Sequence, residues 1–224
     1  MKIFPFKNMH HRFAIYALTP QGAELAGKIV AHTGGAVFLA DGLRALPASL
    51  GASGGRFFDR LGEALAENFP AFSCHVLICA SGIAVRALAP LLRDKSLDPA
   101  ILLLDQQGRF VISLLAGHLG GANRLARELA ARLGATPVIT TGTDVDGIPA
   151  VDDLAQAAGL RILNLGAVRA VNAALLRGEK PTLFDPGNLL RLAGTELETF
   201  FAPAAGAAEA AIIVGLCPPG LLKT

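Results

Sequence analysis

Two short runs combine glycine with a group able to hold an anion or move a proton. The first is Ala80-Ser81-Gly82-Ile83-Ala84-Val85-Arg86. Ser81 suits a helix cap, and Gly82 lets a ligand approach backbone N–H groups. Arg86, one turn in, suits a carboxylate clamp. A simple cap beside a solvated arginine is the plainer reading of the same residues. The second run is Gly117-His118-Leu119-Gly120-Gly121-Ala122-Asn123, where three glycines in five residues demand unusual backbone angles or close packing. A histidine among them has little apolar material around it, and imidazole titrates near neutrality, which suits proton transfer. A structural turn with an exposed histidine is the alternative. The glycine spacing is not GxGxxG, and the run lacks the Gly-Lys-Ser/Thr end of a P-loop.

Thr140-Thr141-Gly142-Thr143-Asp144-Val145-Asp146-Gly147 is a third polar run. Its Asp-x-Asp-Gly hints at calcium, but the third acidic ligand is missing. Position twelve, counted from Asp144, is Ala155 rather than Glu, which excludes an EF-hand. Hydroxyls and carboxylates after a strand can line a cleft, or form a polar hinge between domains. Between Ser81 and Arg127 the cations are Arg86, Arg93, Lys95, Arg109, Arg124 and Arg127, against Asp94, Asp98 and Asp105. That local excess of three, set against +2 for the whole chain, suits a polyanionic small molecule, with scattered surface charge as the alternative.

These runs need a scaffold, and the composition limits which. The chain has 224 residues, 52% apolar and 17% charged, enough for a substantial core in one large domain or two small ones. No apolar run approaches the ~20 residues of a spanning helix. Cys74, Cys79 and Cys217 give no disulfide framework, and the first two read as buried thiols. Residues 1–12, with Lys2, Lys7 and His10-His11, lack the apolar centre of a signal peptide and read as a short extension. A cytoplasmic location is expected. The small net charge, with no basic run and no aromatic stripe, argues against nucleic acid.

Apolar strand-sized runs alternate with helical patterns. Residues 12–18 read as a strand, and Thr19-Pro20 starts a helix that ends at Gly34-Gly35. Val37–Leu39 reads as a strand and 41–55 as loop, with a helix beginning at Phe57-Phe58. Phe72–Ala80 is a buried strand, followed by a helix that Pro90 breaks. Ile101–Asp105 and Phe110–Leu115 flank Gln106-Gln107-Gly108-Arg109, a hairpin that puts an antiparallel pair into the sheet. A helix follows Gly121, and Pro137–Ile139 is a short strand. Beyond Thr140 lie helices at about 151–158 and 166–176, a weakly patterned region at 177–211, and a strand at Ile212–Val214. The expected fold is α/β: a mostly parallel sheet with helices on both faces (residues 12–140), a smaller α/β domain (141–214), and a linker (215–224) containing Cys217-Pro218-Pro219-Gly220.

Longer runs carry a resemblance. Ala80–Lys95, Asp98-Pro99, Gly108–Asn123, Ala135–Asp152 and Val171–Gly178 resemble the CbiG family, the cobalt-precorrin-5A hydrolases of anaerobic cobalamin biosynthesis. The similarity extends from about Phe13 to Gly178 and is weak after it. It implies a cobalt-corrinoid substrate bearing a δ-lactone and many carboxylates, and hydrolytic ring opening with loss of acetaldehyde. It also implies a further C-terminal domain, truncated here or supplied by another polypeptide, with Cys217 near its start. Other enzymes of the pathway and a second copy of the chain are candidate partners.

On that reaction, His118 is the candidate base. Backbone N–H groups near Gly82 and Gly120-Gly121 are candidate oxyanion donors. Arg86, Arg93, Lys95 and Arg109 would hold peripheral carboxylates, and Ser81, Gly117 and Asn123 would also contact substrate. Cobalt belongs to the substrate, so no protein cofactor or metal site is expected. If the strands before Gly117 and Thr140 are parallel neighbours, both loops leave the sheet at one edge. Thr140, Thr141 and Asp144 would then face His118 across an interdomain cleft and orient it or the attacking water. The alternative is a corrinoid-binding scaffold or carrier without catalysis. A nucleotide-binding protein is a more distant reading, because neither common phosphate loop is present.

Overall fold

In the computed structural model, which describes residues 2–5, 12–45, 55–94, 97–118 and 120–215, the chain divides into two compact units. Residues 10–139 form one, and residues from 140 onward with the N-terminal nine form the other. His10, His11, Lys95, Leu119 and Cys217 lie outside the described residues. No described helix is long and apolar enough to cross a membrane.

The chain opens with strand β1 (Lys2–Pro5), followed by β2 (Phe13–Ala17) and helix α1 (Pro20–Thr33). Thr19 starts α1 as its position suggests. Its Oγ1 accepts the Gly22 N–H at 3.1 Å, Pro20 takes the first helical position, and Gly34, with φ of 67°, closes the far end. Then come β3 (Ala36–Ala40), β4 (Arg56–Phe58), α2 (Leu61–Asn68), β5 (Cys74–Ile78) and α3 (Ser81–Leu88). The unit closes with β6 (Ala100–Leu104), β7 (Phe110–Leu115), α4 (Ala122–Leu133) and β8 (Thr136–Val138). Phe57 and Phe58, expected to open a helix, instead form β4 beside β3, with Phe57 paired to Leu39 and Phe58 to Ala40. The aromatic pair serves the pleat of an edge strand, and α2 begins only at Leu61.

The strands order as β4-β3-β2-β5-β6-β7-β8. All are parallel from β4 to β6. β7 runs antiparallel to β6, and β8 parallel to β7. This is the expected mostly parallel sheet with its antiparallel hairpin. Strands β2, β5 and β6 are buried along their whole length, as both faces are covered. Ile29 of α1 and Leu125 and Leu129 of α4 pack on one face with Ile15, Val76 and Leu102. Leu65 of α2 and Leu88 of α3 pack on the other with Tyr16, Leu77 and Ile101. Each such Leu or Ile, fully buried, contributes about 1.5–3 kcal/mol.

The second unit contains α5 (Gly142–Val145), α6 (Val151–Ala157), β9 (Leu160–Ile162), α7 (Val168–Leu176), β10 (Thr182–Phe184), β11 (Ala202–Pro203) and β12 (Ile212–Val214). Its sheet runs β11-β10-β12-β1-β9. The N-terminal segment is therefore more than an extension, since β1 lies parallel to β12 and antiparallel to β9. Four residues are too few to show a pattern, and their partners come more than 150 residues later in the chain.

Cys74 is fully buried, which pushes its thiol pKa up, and half-buried Cys79 is raised to about 11. Beside Cys74, His75 is also fully buried, stacked between Tyr16 and Phe69. Tyr16 Oη and His75 Nδ1 are hydrogen-bond partners 3.2 Å apart, while His75 Nε2 meets no well-formed hydrogen-bond partner among the described residues. Burial lowers the His75 pKa from 6.5 to about 4, against the opposing pull of the Phe69 and Phe72 backbone. The unfolded chain therefore binds a proton that the folded chain refuses. The associated stability is complete above the unfolded value and is lost as pH falls through that interval, by roughly 3 kcal/mol. Denaturant titrations at neutral pH and near pH ~4 should show this loss in the native protein. A Tyr16→Phe/His75→Phe double variant, lacking both ends of the bond, should lack that component.

Candidate functional site

The Asp105 carboxylate turns β6 into β7. Its Oδ1 accepts the Gln107 N–H and its Oδ2 accepts those of Arg109 and Phe110, each at 2.9 Å. Gly108, with φ of 68°, lies against Leu25 of α1. The carboxyl end of β7 therefore leaves the sheet where the parallel strands begin, opposite the edge where β5 and β6 end. Leu115 pairs with Ile101 at the start of β6, and Val111 pairs with Leu104 at its end.

This reversal separates residues that sequence reasoning grouped. Ser81, Gly82 and Arg86 follow β5, and Arg109 precedes β7, so all four lie at the edge where the parallel strands end. His118 and Gly117 follow β7 at the opposite edge. Arg93, between α3 and β6, also lies at the His118 edge. Its N–H donates to the Asp98 carboxylate at 3.2 and 3.3 Å. Gly82 and Gly120-Gly121 thus cannot serve one oxyanion. The cations are spread in the same way, and Arg124 is paired with Glu128 at 2.6 Å.

At the first edge the local chemistry is modest. The cap position of α3 is Ala80, not Ser81, and Ser81 opens the helix without a capping side-chain hydrogen bond. Arg86 Nη1 donates to the Gly82 carbonyl at 2.9 Å, laying the guanidinium along its own helix. The loop does sit where the strand order reverses direction, between β2 and β5, a common place for ligands in such sheets.

The described residues of the Gly117–Asn123 loop pack closely on one another. Ala116 takes φ of 56° and Gly121 φ of 78°. Gly121 N–H donates to the His118 carbonyl at 2.8 Å, Ala122 N–H to that of Ala116 at 3.2 Å, and Asn123 N–H to that of Gly117 at 3.0 Å. Gly121 is therefore spent within the turn, whereas Gly120 N–H donates to no acceptor among the described residues. A β-carbon on Gly120 would lie 2.5 Å from Ala116 Cβ and 3.4 Å from the Ala100 nitrogen that opens β6. His118 is half-buried. Asn123, expected to touch substrate, is only 2% exposed. Sequence reasoning missed its partner Ser113, whose hydroxyl donates to Asn123 Oδ1 at 2.6 Å. The signal was a lone hydroxyl within an apolar strand.

Strands β7 and β8 are parallel neighbours, so their carboxyl ends share an edge. In the second unit, exposed Thr140 precedes Thr141, whose Oγ1 donates to Asp144 Oδ2 at 2.7 Å. Nearby, Asn172 accepts the Val151 N–H and donates to buried Asp152, both at 2.9 Å, fixing α7 against the start of α6.

The glycine packing gives a contrast testable by denaturant unfolding. Gly120→Ala drives a methyl into backbone and should cost about 1–3 kcal/mol. Gly62→Ala on α2 meets nothing within 4 Å and should stabilise by up to about 1 kcal/mol.

Comparison with known proteins places these features in a family. Residues 63–144 match the cobalamin synthesis G N-terminal region (CbiG_N), and residues 149–214 match the cobalamin biosynthesis central region (CbiG_mid). The chain is 41% identical over 172 residues to the cobalt-precorrin-5A hydrolase of Salmonella typhimurium, covering 76% of this chain and 47% of that protein. It is 41% identical over 116 residues to the cobalt-precorrin-5A hydrolase of Priestia megaterium, covering 52% of this chain and 31% of that protein. The chain thus spans about half or less of the length of these relatives. Its fold is similar to the crystal structure of a cobalamin biosynthesis protein G homolog from Sulfolobus solfataricus. That likeness has a TM-score of 0.50 at 22% identity, over 92% of this chain and 60% of that one. Carrying the N-terminal and central regions in succession, this chain belongs to the CbiG family.

Proposed function

We propose that the protein opens the δ-lactone of a cobalt-corrinoid intermediate, cobalt-precorrin-5A, by hydrolysis, with release of acetaldehyde. The observation that carries this reading is the 41% identity over 172 residues to the Salmonella typhimurium hydrolase, a stretch long enough to take in most of this chain. The reaction needs a base for water, a donor for the oxyanion that forms on the lactone carbonyl, and a grip on the ring. His118, in a hydrogen-bonded loop at a sheet edge, suits the base. Gly120 N–H suits the oxyanion donor, because it meets no acceptor among the described residues. Arg93, with Lys95 close by in sequence, suits peripheral carboxylates of the substrate. Within the second unit Asp144, held by the Thr141 hydroxyl at 2.7 Å, is a further carboxylate proposed for the reaction, with Thr140 and Thr141 as substrate contacts. Ser81, Gly82, Arg86 and Arg109 lie at the other edge of the sheet and have no part at the reacting centre. Cobalt arrives within the substrate, and the reaction invokes no resident cofactor. The proposed setting is the cytoplasm, with a second copy of the chain or neighbouring pathway enzymes as partners.

The test is incubation with the lactone substrate while trapped acetaldehyde is followed. His118→Ala should lower kcat by about 10²–10⁴-fold with the unfolding midpoint and corrinoid affinity near those of the parent. An unchanged rate in a folded variant would remove His118 as base. Tight corrinoid binding with no turnover by the parent would favour a carrier instead.

A further inference from the structure

We infer that Ser113 and Asn123 are positioning residues for His118, and that Asn123 does not act on substrate directly. This rests on His118 being the base. Three observations converge on Asn123. Its side chain is buried to 2% exposure at the start of α4. Its backbone N–H donates to the Gly117 carbonyl at 3.0 Å. Its carboxamide fills the space above the Gly117 α-carbon, where an added β-carbon would lie 2.8 Å from Oδ1 and 3.0 Å from Nδ2. Asn123 therefore fixes both the carbonyl and the α-carbon of the residue immediately before His118.

Ser113 fixes Asn123 in turn. Its hydroxyl donates to Oδ1 at 2.6 Å and ties strand β7 to the first turn of α4 across ten residues. The strand is built to allow this. Ile101 pairs with Leu115 but Leu102 with Ser113, so Leu114 is an extra residue on β7. Such a bulge re-aims the side chains around it and is common beside active sites. Ala116, next in line, takes the left-handed conformation that only a tightly determined surrounding sustains in a non-glycine residue. Strand bulge, left-handed alanine, bare glycine and buried amide all bear on one histidine. Gly117 is glycine because a side chain there would occupy the place of the amide that positions the loop.

The experiment uses the whole chain labelled with ¹³C-histidine, with the His118 imidazole signal identified by its loss in His118→Gln. Asn123→Ala and Ser113→Ala should each move the titration midpoint of His118 by about half a pH unit or more and broaden its signal. Ser113→Thr, which keeps the hydroxyl, should restore the parent midpoint. Ser113→Ala removes a single oxygen, so it keeps the test available if Asn123→Ala does not fold. Folded Ser113→Ala protein with a parental His118 midpoint and linewidth would overturn the inference. In turnover, positioning predicts a fall in kcat on the order of ten- to a hundredfold with KM unchanged. A raised KM at parental kcat would return Asn123 to the substrate and overturn it. If His118→Ala kept full turnover, the base assignment would fail while the imidazole titration still reported on the loop.

Discussion

One carboxylate decides where the chemistry sits in the first unit. Asp105 accepts three backbone N–H groups in the turn after β6 and so reverses the chain into β7. A parallel crossover at that point would have delivered the next loop to the same edge as Ser81. The hairpin delivers it to the opposite one, and β8, parallel to β7, follows it there. A hydrogen bond to a charged acceptor contributes about 1.5–3 kcal/mol, and here three such bonds also fix a direction. The placement of His118, of Gly120 and of the chain's exit toward Thr140 all follow from that reversal.

The described residues of the loop that results pack closely on one another. Gly117 and Gly120 are bare because Asn123 and Ala116 occupy the volume that side chains would fill. Helix α4 holds the far end, with Leu125, Ala126 and Leu129 buried in the core and Arg124 and Glu128 paired on the open side. A base for water must be held close to its productive geometry by neighbours whose own positions are locked. This loop meets that requirement with backbone bonds and a buried amide. The Ser81–Arg86 run has less of this support, since Arg86 spends its guanidinium on its own helix.

The alternation of strands and helices was legible in the sequence because its signals are local. Thr19-Pro20 marks a helix start, Gly108 marks a hairpin, and the apolar runs of β2, β5 and β6 mark strands covered on both faces. The glycine-rich histidine loop was legible for the same reason. What was not legible depends on non-local partners. Nothing near Ser81 or His118 states which edge of the sheet each will occupy, because strand order is set by packing between distant segments. Strand β1 is four residues long and finds its partners in the distant β9 and β12. Strands β9, β10 and β11 are two or three residues long, too short for a period to show. Phe57 and Phe58 continued the apolar spacing of α2 and so read as helix, although pairing with β3 makes them strand. Asn123 read as a ligand-binding amide because sequence does not report burial.

The central claim is that substrate meets the first unit at the His118 edge of its sheet. A paramagnetic cobalt(II) corrinoid added to ¹⁵N-labelled protein broadens the amide signals nearest the metal, and so reads out the edge directly. The account predicts broadening at His118, Gly120, Gly121 and the first turn of α4, with Ser81–Arg86 and Gln106–Arg109 unaffected. Broadening confined to Ser81–Arg86 and Gln106–Arg109, with the His118 loop unchanged, would contradict it.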